Sequence, residues 1–155
     1  MQKKSLQTKS SLIFAPTDAF KTYFAIQQVH NVVNRIVSKE LAQWGLSIPK
    51  YGIIRQLYDN ETLPLSKLSR LIFRGNSNLT TLVDRMERDG IVQRVNHHDD
   101  RRVKVLCLTK KGRGLAPKVI KAHRAFLHKM MSCISVREQK KLANLLTQLK
   151  EKLGE

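Results

Sequence analysis

The sequence predicts a mainly α-helical protein with one small β-hairpin, set between helices at the two ends of the chain. Two observations predict this fold class. Apolar residues recur at three- and four-residue steps over most of the chain, which is the spacing of helices that bury one face. Residues 91–108 instead hold two short runs rich in β-branched residues on either side of a polar turn, the pattern of a hairpin.

The N-terminal part predicts a tail and a long helix. Residues 1–16 are polar, rich in Ser and Lys, and end at Pro16, so we interpret them as a flexible basic arm. An amphipathic helix follows, which Thr17 or Asp18 can cap and Gly45 can end. Its apolar stripe is wider than one small domain needs, which indicates a subunit interface.

Two shorter helices are predicted next. The first begins at Ser47, has Pro49 in its first turn, and ends at about Asp59. We predict a turn over residues 60–64. The second helix is marked by four apolar residues, Leu65, Leu68, Leu71 and Ile72.

A helix with a polar outer face is predicted over residues 76–89. Gly75 separates it from the preceding helix, Asn76 is a good N-cap, and Gly90 follows its last turn. Its inner side carries Leu79, Leu82, Val83 and Met86. Its outer side carries Ser77, Thr80, Thr81, Asp84, Arg85 and Arg88.

The hairpin comes directly after this helix. Strands are predicted over 91–95 and 103–108, with a turn over 96–100 that brings Arg101 and Arg102 close to the tip. Thr109 then caps another helix, and a last helix follows Ser135. We expect the helices at the two ends of the chain to pack together.

The charge of the chain indicates a polyanionic partner. Lys and Arg total 29 against 12 Asp and Glu, a net charge of +17. Residues 65–113 carry twelve cations against five acids, whereas residues 18–64 are nearly neutral. A basic surface concentrated on one module predicts salt-sensitive binding to nucleic acid.

A membrane partner is not indicated. No segment sets a wide apolar face against a lysine-rich one, and no apolar run approaches the length of a membrane span. The run Leu12-Ile13-Phe14-Ala15 is too short for a signal peptide. The sequence therefore predicts a cytoplasmic protein.

Two elements suit double-stranded DNA. A helix with small polar residues near its N-terminus fits the major groove, and arginines at a hairpin tip fit the narrow minor groove. The candidate DNA-contacting residues are Asn76, Ser77, Asn78, Thr80, Thr81, Arg85, Arg88, Asp100, Arg101 and Arg102. The alternatives are an ordinary solvated helix face and, for Arg101 and Arg102, a solvated hairpin tip.

Two motifs carry a family resemblance. Residues 76–94 resemble the recognition helix and first wing strand of the MarR (multiple-antibiotic-resistance regulator) family. The run Asp100-Arg101-Arg102, followed by Leu108-Thr109-Lys110-Lys111-Gly112, resembles that family's wing signature. With the helix order, the likeness covers about residues 18–153.

The resemblance implies a winged helix-turn-helix over residues 46–109, inserted between dimerisation helices over 17–45 and 110–155. It implies a homodimer on a pseudo-palindromic operator, usually a repressor that an effector releases. It also implies that Arg102 enters the minor groove while Asp100 holds its guanidinium in place.

By the same resemblance, an effector pocket would lie where the first, second and fifth helices meet. Its candidate lining residues, which combine aromatic walls with polar tips, are His30, Trp44, Tyr51, His123 and Phe126. A small aromatic or anionic effector would suit them. The alternative for each residue is a packing role in the core or an interface.

The two cysteines lack CxxC spacing and indicate neither a disulfide framework nor a zinc site. Cys107 lies near Lys104 and the wing arginines, so a redox-responsive regulator is an alternative, although two small semi-buried thiols, Cys107 and Cys133, are favoured. The run His97-His98-Asp99-Asp100 resembles a metal cluster, but adjacent turn residues rarely converge on one ion. We predict no cofactor.

Three functional classes remain to be compared. An enzyme is disfavoured, because no Gly-rich phosphate loop, GxSxG elbow, HExxH motif or paired-carboxylate arrangement is present. A nonspecific architectural nucleic-acid binder fits the charge and the basic arm, and would show little preference among sequences. A sequence-specific DNA-binding regulator fits both the charge and the motifs, and is the function we predict.

Overall fold

The computed structural model describes residues 17–72, 79–96 and 104–154. Within them lie six helices and three short strands: α1 Asp18–Ala42, α2 Ile48–Asn60, β1 Thr62–Pro64, α3 Leu65–Ile72, α4 Leu79–Arg88, β2 Val92–Asn96, β3 Lys104–Leu108, α5 Lys110–Met131 and α6 Val136–Lys152. The predicted fold class, mainly α-helical with a small β-wing, is confirmed.

Four of the predicted helix starts are confirmed by side-chain caps, and the predicted cap Asn76 lies outside the described residues. The hydroxyl of Thr17 accepts the backbone N–H of Phe20 at the start of α1. Ser47, Thr109 and Ser135 play the same part for α2, α5 and α6. Each hydroxyl satisfies one of the four backbone donors that a helix start leaves without a partner.

The predicted turn over residues 60–64 was wrong in part, because Thr62–Pro64 forms a third strand. This strand pairs antiparallel with β3, whose other edge pairs with β2, so the sheet order is β1-β3-β2. A three-residue strand that ends in Pro shows no alternating pattern of its own. Pairing of Leu63 with Leu106, more than forty residues further on, makes it a strand.

One core connects the winged part to α1 and α5. Its innermost side chains come from every element between α2 and β3, including Ile53, Leu57, Leu68, Met86 and Leu106. The C-terminal half of α1 adds Val37 and Leu41, and α5 adds Ala116 and Val119. The position of the sheet and α4 relative to these longer helices is thereby fixed by close packing.

The outer parts of the terminal helices remain uncovered in the single chain. Phe20, Tyr23 and Phe24 of α1 are exposed, and the described part of α6 has no buried side chain. The expected packing between the two ends of the chain is therefore limited to the C-terminal half of α1 and α5. None of the described helices is both long enough and apolar enough to span a bilayer.

Candidate nucleic-acid interface

Helix α4 is held by its inner side and leaves its outer side open. Leu79, Val83 and Met86 are buried at helical spacing against the core. Thr80, Arg85 and Arg88 are exposed on the opposite side, and Thr81 is half-buried. The predicted contact residues Asn76, Ser77, Asn78, Asp100, Arg101 and Arg102 lie outside the described residues.

Arg94 of β2 ties the wing to α4. Its guanidinium forms an ion pair with Glu87 and another with Asp84, where Nη2 lies 2.7 Å from the carboxylate. Its backbone N–H also donates to Glu87, at 2.9 Å. A planar guanidinium held by two carboxylates on one helix fixes direction as well as distance. The first wing strand and the candidate recognition helix are thus joined as one rigid unit.

The ion pairs of Arg94 with Asp84 and Glu87, called the bracket below, were not predicted from the sequence, although a signal for them was present. Asp84 and Glu87 are three residues apart and therefore share a helix face. Two carboxylates on the surface of a basic module need a cation, and Arg94 is the first one along the following strand.

The C-terminal end of α4 is fixed by a second set of polar contacts. Gly90 adopts a positive φ of 69°, and its carbonyl accepts the hydroxyl of Thr109 at 2.6 Å. The Lys50 ammonium lies 2.8 Å from the Asp89 carboxylate, and Lys111 donates to the Asp89 carbonyl at 2.7 Å. The hydrogen bond from Lys50 lowers the pKa of Asp89.

The surroundings of Gly112 explain why the Leu-Thr-Lys-Lys-Gly motif ends in glycine. A Cβ at this position would lie 2.1 Å from the carbonyl oxygen of Ile91, so a side chain cannot fit. The first turn of α5 therefore crosses directly over the start of the wing. A close backbone crossing of this kind requires glycine.

A basic depression flanks α4. Lys50, Arg85 and Arg88 line it together with Asp89, so three cations face one acid. At the far end of the two paired wing strands, Lys104 adds a further cation and donates to the Asn96 side chain at 2.6 Å. An open cationic surface beside a helix with exposed polar side chains suits a nucleic-acid backbone.

Three of the five proposed effector residues come together. His123 is buried, and its Nδ1 lies 2.7 Å from the Glu40 carboxylate. The His123 ring lies 4.4 Å from the Tyr51 ring and 6.1 Å from the Phe126 ring, centroid to centroid. Burial raises the pKa of Tyr51. The three rings are packed against one another between α2 and α5.

The other two proposed effector residues have different surroundings. His30 is exposed on α1, where its Nε2 lies 2.8 Å from the side-chain nitrogen of Asn34. Trp44 is half-buried against the core.

The cysteines differ from the prediction of two semi-buried thiols. Cys107 is buried and accepts a long hydrogen bond from the Gln93 amide at 3.6 Å, whereas Cys133 is exposed. Over residues 17–72, 79–96 and 104–154, no group of three or more His, Cys, Asp or Glu side chains could hold a metal ion. The run from His97 to Asp100 lies outside those ranges.

Comparison with known proteins agrees with this geometry. Residues 46–104 match the model of the MarR family. The chain is 24% identical over 128 residues to the transcriptional regulator MhqR of Bacillus subtilis, across 83% of this chain and 88% of the relative. It is 26% identical over 152 residues to the transcriptional repressor YetL of the same organism, across 95% of this chain and 90% of the relative.

A solved structure extends the match to a DNA complex. Streptococcus pneumoniae FabT in complex with DNA aligns with a TM-score of 0.73 and 27% identity, and the alignment covers 88% of this chain and 97% of that one. The shared fold therefore includes the terminal helices as well as the winged part.

Proposed function

Because this chain belongs to the MarR family of DNA-binding transcriptional regulators, we propose that it acts as a homodimeric repressor on a pseudo-palindromic operator. A small aromatic or anionic effector would release it. Its place of action would be the cytoplasm, where its DNA partner lies.

The observation that carries this proposal is the braced helix α4. Its inner side is locked into the core, Arg94 joins it to the wing, and its outer side keeps Thr80 and Arg85 exposed beside cations. A rigid helix with short polar side chains can approach base edges in the major groove, while neighbouring cations contact phosphates. Residues 46–109 would form the DNA-binding region.

The wing would supply the second contact. From the family resemblance, Arg102 would enter the minor groove, Asp100 would orient it, and Arg101 would contact phosphate. On the recognition helix, Asn76, Ser77 and Asn78 would lead Thr80, Thr81, Arg85 and Arg88 into the major groove.

Exposed apolar surface supports the homodimer. Phe20, Tyr23 and Phe24 near one end of the chain and Leu145 and Leu149 near the other are all at least 40% exposed. Clusters of exposed apolar side chains are typical of interfaces. A second copy of the chain would cover it, with residues 17–45 and 110–155 as the dimerisation region.

The proposed effector site comprises His30, Trp44, Tyr51, His123 and Phe126. Three of these residues form the ring cluster. Their position between α1, α2 and α5 would couple a bound molecule to both regions. Binding there would require the packed rings of Tyr51 and His123 to separate, and the fluorescence of Trp44, the one tryptophan of the chain, is the proposed readout.

The experiment that tests the proposed function is selection from a random-sequence duplex library by the purified protein at near-physiological salt, followed by sequencing. We expect an enriched inverted repeat with half-sites about 10 bp apart, one helical turn. Retention of DNA without enrichment would instead support the nonspecific architectural alternative.

Two wing variants sharpen the test on the selected operator. Arg102→Ala is expected to weaken binding by about 1–3 kcal/mol, and Asp100→Ala is expected to weaken it too, although it removes a negative charge. Arg137→Ala, which removes an equal charge from exposed α6, is the matched control. Tighter binding by Asp100→Ala would show that net charge, and not bracing of Arg102, governs the wing.

A further inference from the structure

Helix α5 carries cations along its exposed side and no acid anywhere. Its 22 residues include seven Lys and Arg and no Asp or Glu. Six of these cations are exposed on the side turned away from the buried residues of the helix, and we call them the cationic stripe: Lys110, Lys111, Lys118, Lys121, Arg124 and Lys129. Helix α5 lies in the proposed dimerisation region, so the proposed function gives the stripe no part.

The charges at the centre of the stripe are not compensated. Over residues 17–72, 79–96 and 104–154, no carboxylate forms an ion pair with Lys118, Lys121 or Arg124. An exposed cation of α1 does have such a partner, since Lys21 pairs with Asp18. The three cations of α5 follow one another at three-residue steps, and like charges at this spacing destabilise a helix. A bound polyanion would relieve that repulsion.

The stripe lacks the apolar side chains through which a protein or a membrane would bind. On the exposed side of α5, the residues between the cations are Gly114, Pro117, Ala125 and His128. The large apolar side chains that are exposed in the described ranges all lie outside α5. Protein interfaces have an apolar core, and membrane-surface helices bury an apolar face. A phosphate backbone, which is bound mainly through charge, fits this surface better.

The stripe begins at the proposed DNA surface. The Lys111 ammonium donates to the Asp89 carbonyl at 2.7 Å, next to the C-terminal end of α4. Asp89 also lines the basic depression that flanks α4. Lys118 follows Lys111 by two helical turns and therefore lies on the same side of α5. A continuous line of cations thus leads from α4 onto α5.

We propose that the cationic stripe is a second DNA-binding surface, which contacts phosphates of the bound duplex that α4 and the wing leave free. From Lys110 to Lys129 the stripe spans about 28 Å, the length of about eight base-pair steps. Its contacts would strengthen binding to every sequence, because phosphates carry no base identity. That the bound duplex is an operator rests on the proposed function, whereas the phosphate contact does not.

The salt dependence of duplex binding tests the stripe. The α5 triple variant, Lys118→Gln with Lys121→Gln and Arg124→Gln, is compared with the wild type on a duplex about four helical turns long. Each lost phosphate contact makes the slope of log K against log salt shallower by about 0.9. A dimer would lose up to about six contacts, so we expect a slope shallower by about 3–5 and an affinity at least about tenfold lower at near-physiological salt.

The matched control removes the same charge from another helix. The α6 triple variant, Arg137→Gln with Lys140→Gln and Lys141→Gln, also replaces one Arg and two Lys at exposed positions. It should keep the slope and the affinity of the wild type. An equal loss in both triple variants would show that net charge, and not the position of the cations on α5, governs binding, and it would overturn the proposal.

Affinity for a scrambled duplex separates this proposal from the proposed function. The α5 triple variant should weaken binding to the selected operator and to its scrambled version by the same factor. A wild-type affinity ratio near one would contradict the proposed function and leave the slope measurement as the test of the stripe. A loss confined to the operator would overturn the phosphate assignment.

Two further measurements exclude indirect causes. In sedimentation, the α5 triple variant should remain a dimer, and loss of the dimer would overturn the proposal by assigning the stripe to the partner subunit. Unchanged DNA binding would also overturn it, and lost binding of polyglutamate in the same variant would then assign the stripe to an acidic protein. If the triple variant does not fold, Lys121→Gln alone replaces it, with a slope expected to be shallower by about 1–2.

Discussion

The winged part of the chain and its terminal helices bury their apolar residues in different ways. Between α2 and β3, side chains such as Ile53, Leu57 and Leu106 are 0–1% exposed within a single chain. In α6, by contrast, Leu145 is 54% exposed, and Leu153 directly after the helix is 74% exposed. Both regions have strong helical periodicity, so local pattern alone does not distinguish a completed core from an interface.

This contrast shows where the fold depends on a partner. A region with a completed core is stable through contacts within its own chain. A region with an open apolar stripe gains most of its burial from a second molecule, so its stability depends on protein concentration. We therefore expect the winged part to tolerate dilution better than the terminal helices, and four predictions test this contrast.

The largest effect is expected at Leu145. Leu145→Glu places a charge in the proposed interface of both subunits, so the loss counts twice by symmetry. We expect the dimer to be weakened by about 3–6 kcal/mol, because burial of one leucine contributes about 1.5–3 kcal/mol. Analytical ultracentrifugation over a concentration series measures the dissociation constant.

Lys140→Glu is the control for that substitution. Lys140 is exposed and lies on the opposite side of α6 at helical spacing, so its change of charge should leave the dimer intact. Equal dissociation in both variants would mean that net charge, and not the apolar stripe, controls assembly. A wild-type protein that is monomeric at micromolar concentration would contradict the contrast itself.

The second effect is expected where the terminal helices α1 and α5 meet. Glu40 of α1 and His123 of α5 have side chains only 11% and 6% exposed, and they bond at 2.7 Å. Glu40→Ala leaves a buried imidazole without its acceptor and should lower the free energy of unfolding by about 1–3 kcal/mol. Denaturant unfolding monitored by circular dichroism measures the change.

A surface variant and a double variant serve as controls for that result. Lys39→Ala, at the exposed neighbouring position, should change stability by less than about 0.5 kcal/mol. Glu40→Leu combined with His123→Phe removes both polar partners and should recover much of the loss. If Glu40→Ala unfolds like the wild type, the pair does not hold α1 and α5 together.

Much of the fold could be predicted from the sequence, because its signals are local. The hydroxyls of Thr17, Ser47 and Ser135 mark helix starts within three residues of the donors they satisfy. Strand β1 was missed because its signal is not local. Leu63 becomes part of a strand only by pairing with Leu106, and nothing within residues 60–64 encodes that partner.

The candidate site shows the same limit. Exposure of Thr80 and Arg85 follows from helical periodicity, so it could be predicted. The bracket between Arg94 and the carboxylates of Asp84 and Glu87 joins two elements across a turn. Its prediction would have required the relative position of those two elements.

The third effect is expected on DNA affinity. Arg94→Ala removes the bracket and leaves two carboxylates on α4 without their cation, facing the proposed DNA surface. Because the Arg94 side chain is 28% exposed, solvent weakens the ion pairs, and we expect a loss of about 1–2 kcal/mol in operator binding. Titration with labelled operator measures it, and Arg137→Ala again controls for the lost charge. Equal affinity in the two variants would mean that α4 needs no support from the wing.

The smallest effect is expected at the Lys50–Asp89 pair, within the winged part. The pKa of Asp89 is lowered in the folded protein, chiefly by the hydrogen bond from Lys50, so its charged form is favoured by folding. Such a group stabilises the fold above its unfolded pKa, near the ordinary value of 3.8, and that contribution is lost as pH falls through the folded pKa. Asp89 is 47% exposed, so screening limits the contribution to less than about 0.5 kcal/mol. Lys50→Met should therefore be slightly less stable than the wild type above pH 4, and the difference should vanish as the pH falls toward 2. A difference that persists at the lowest pH would assign the role of Lys50 to packing of its aliphatic stem and not to its charge.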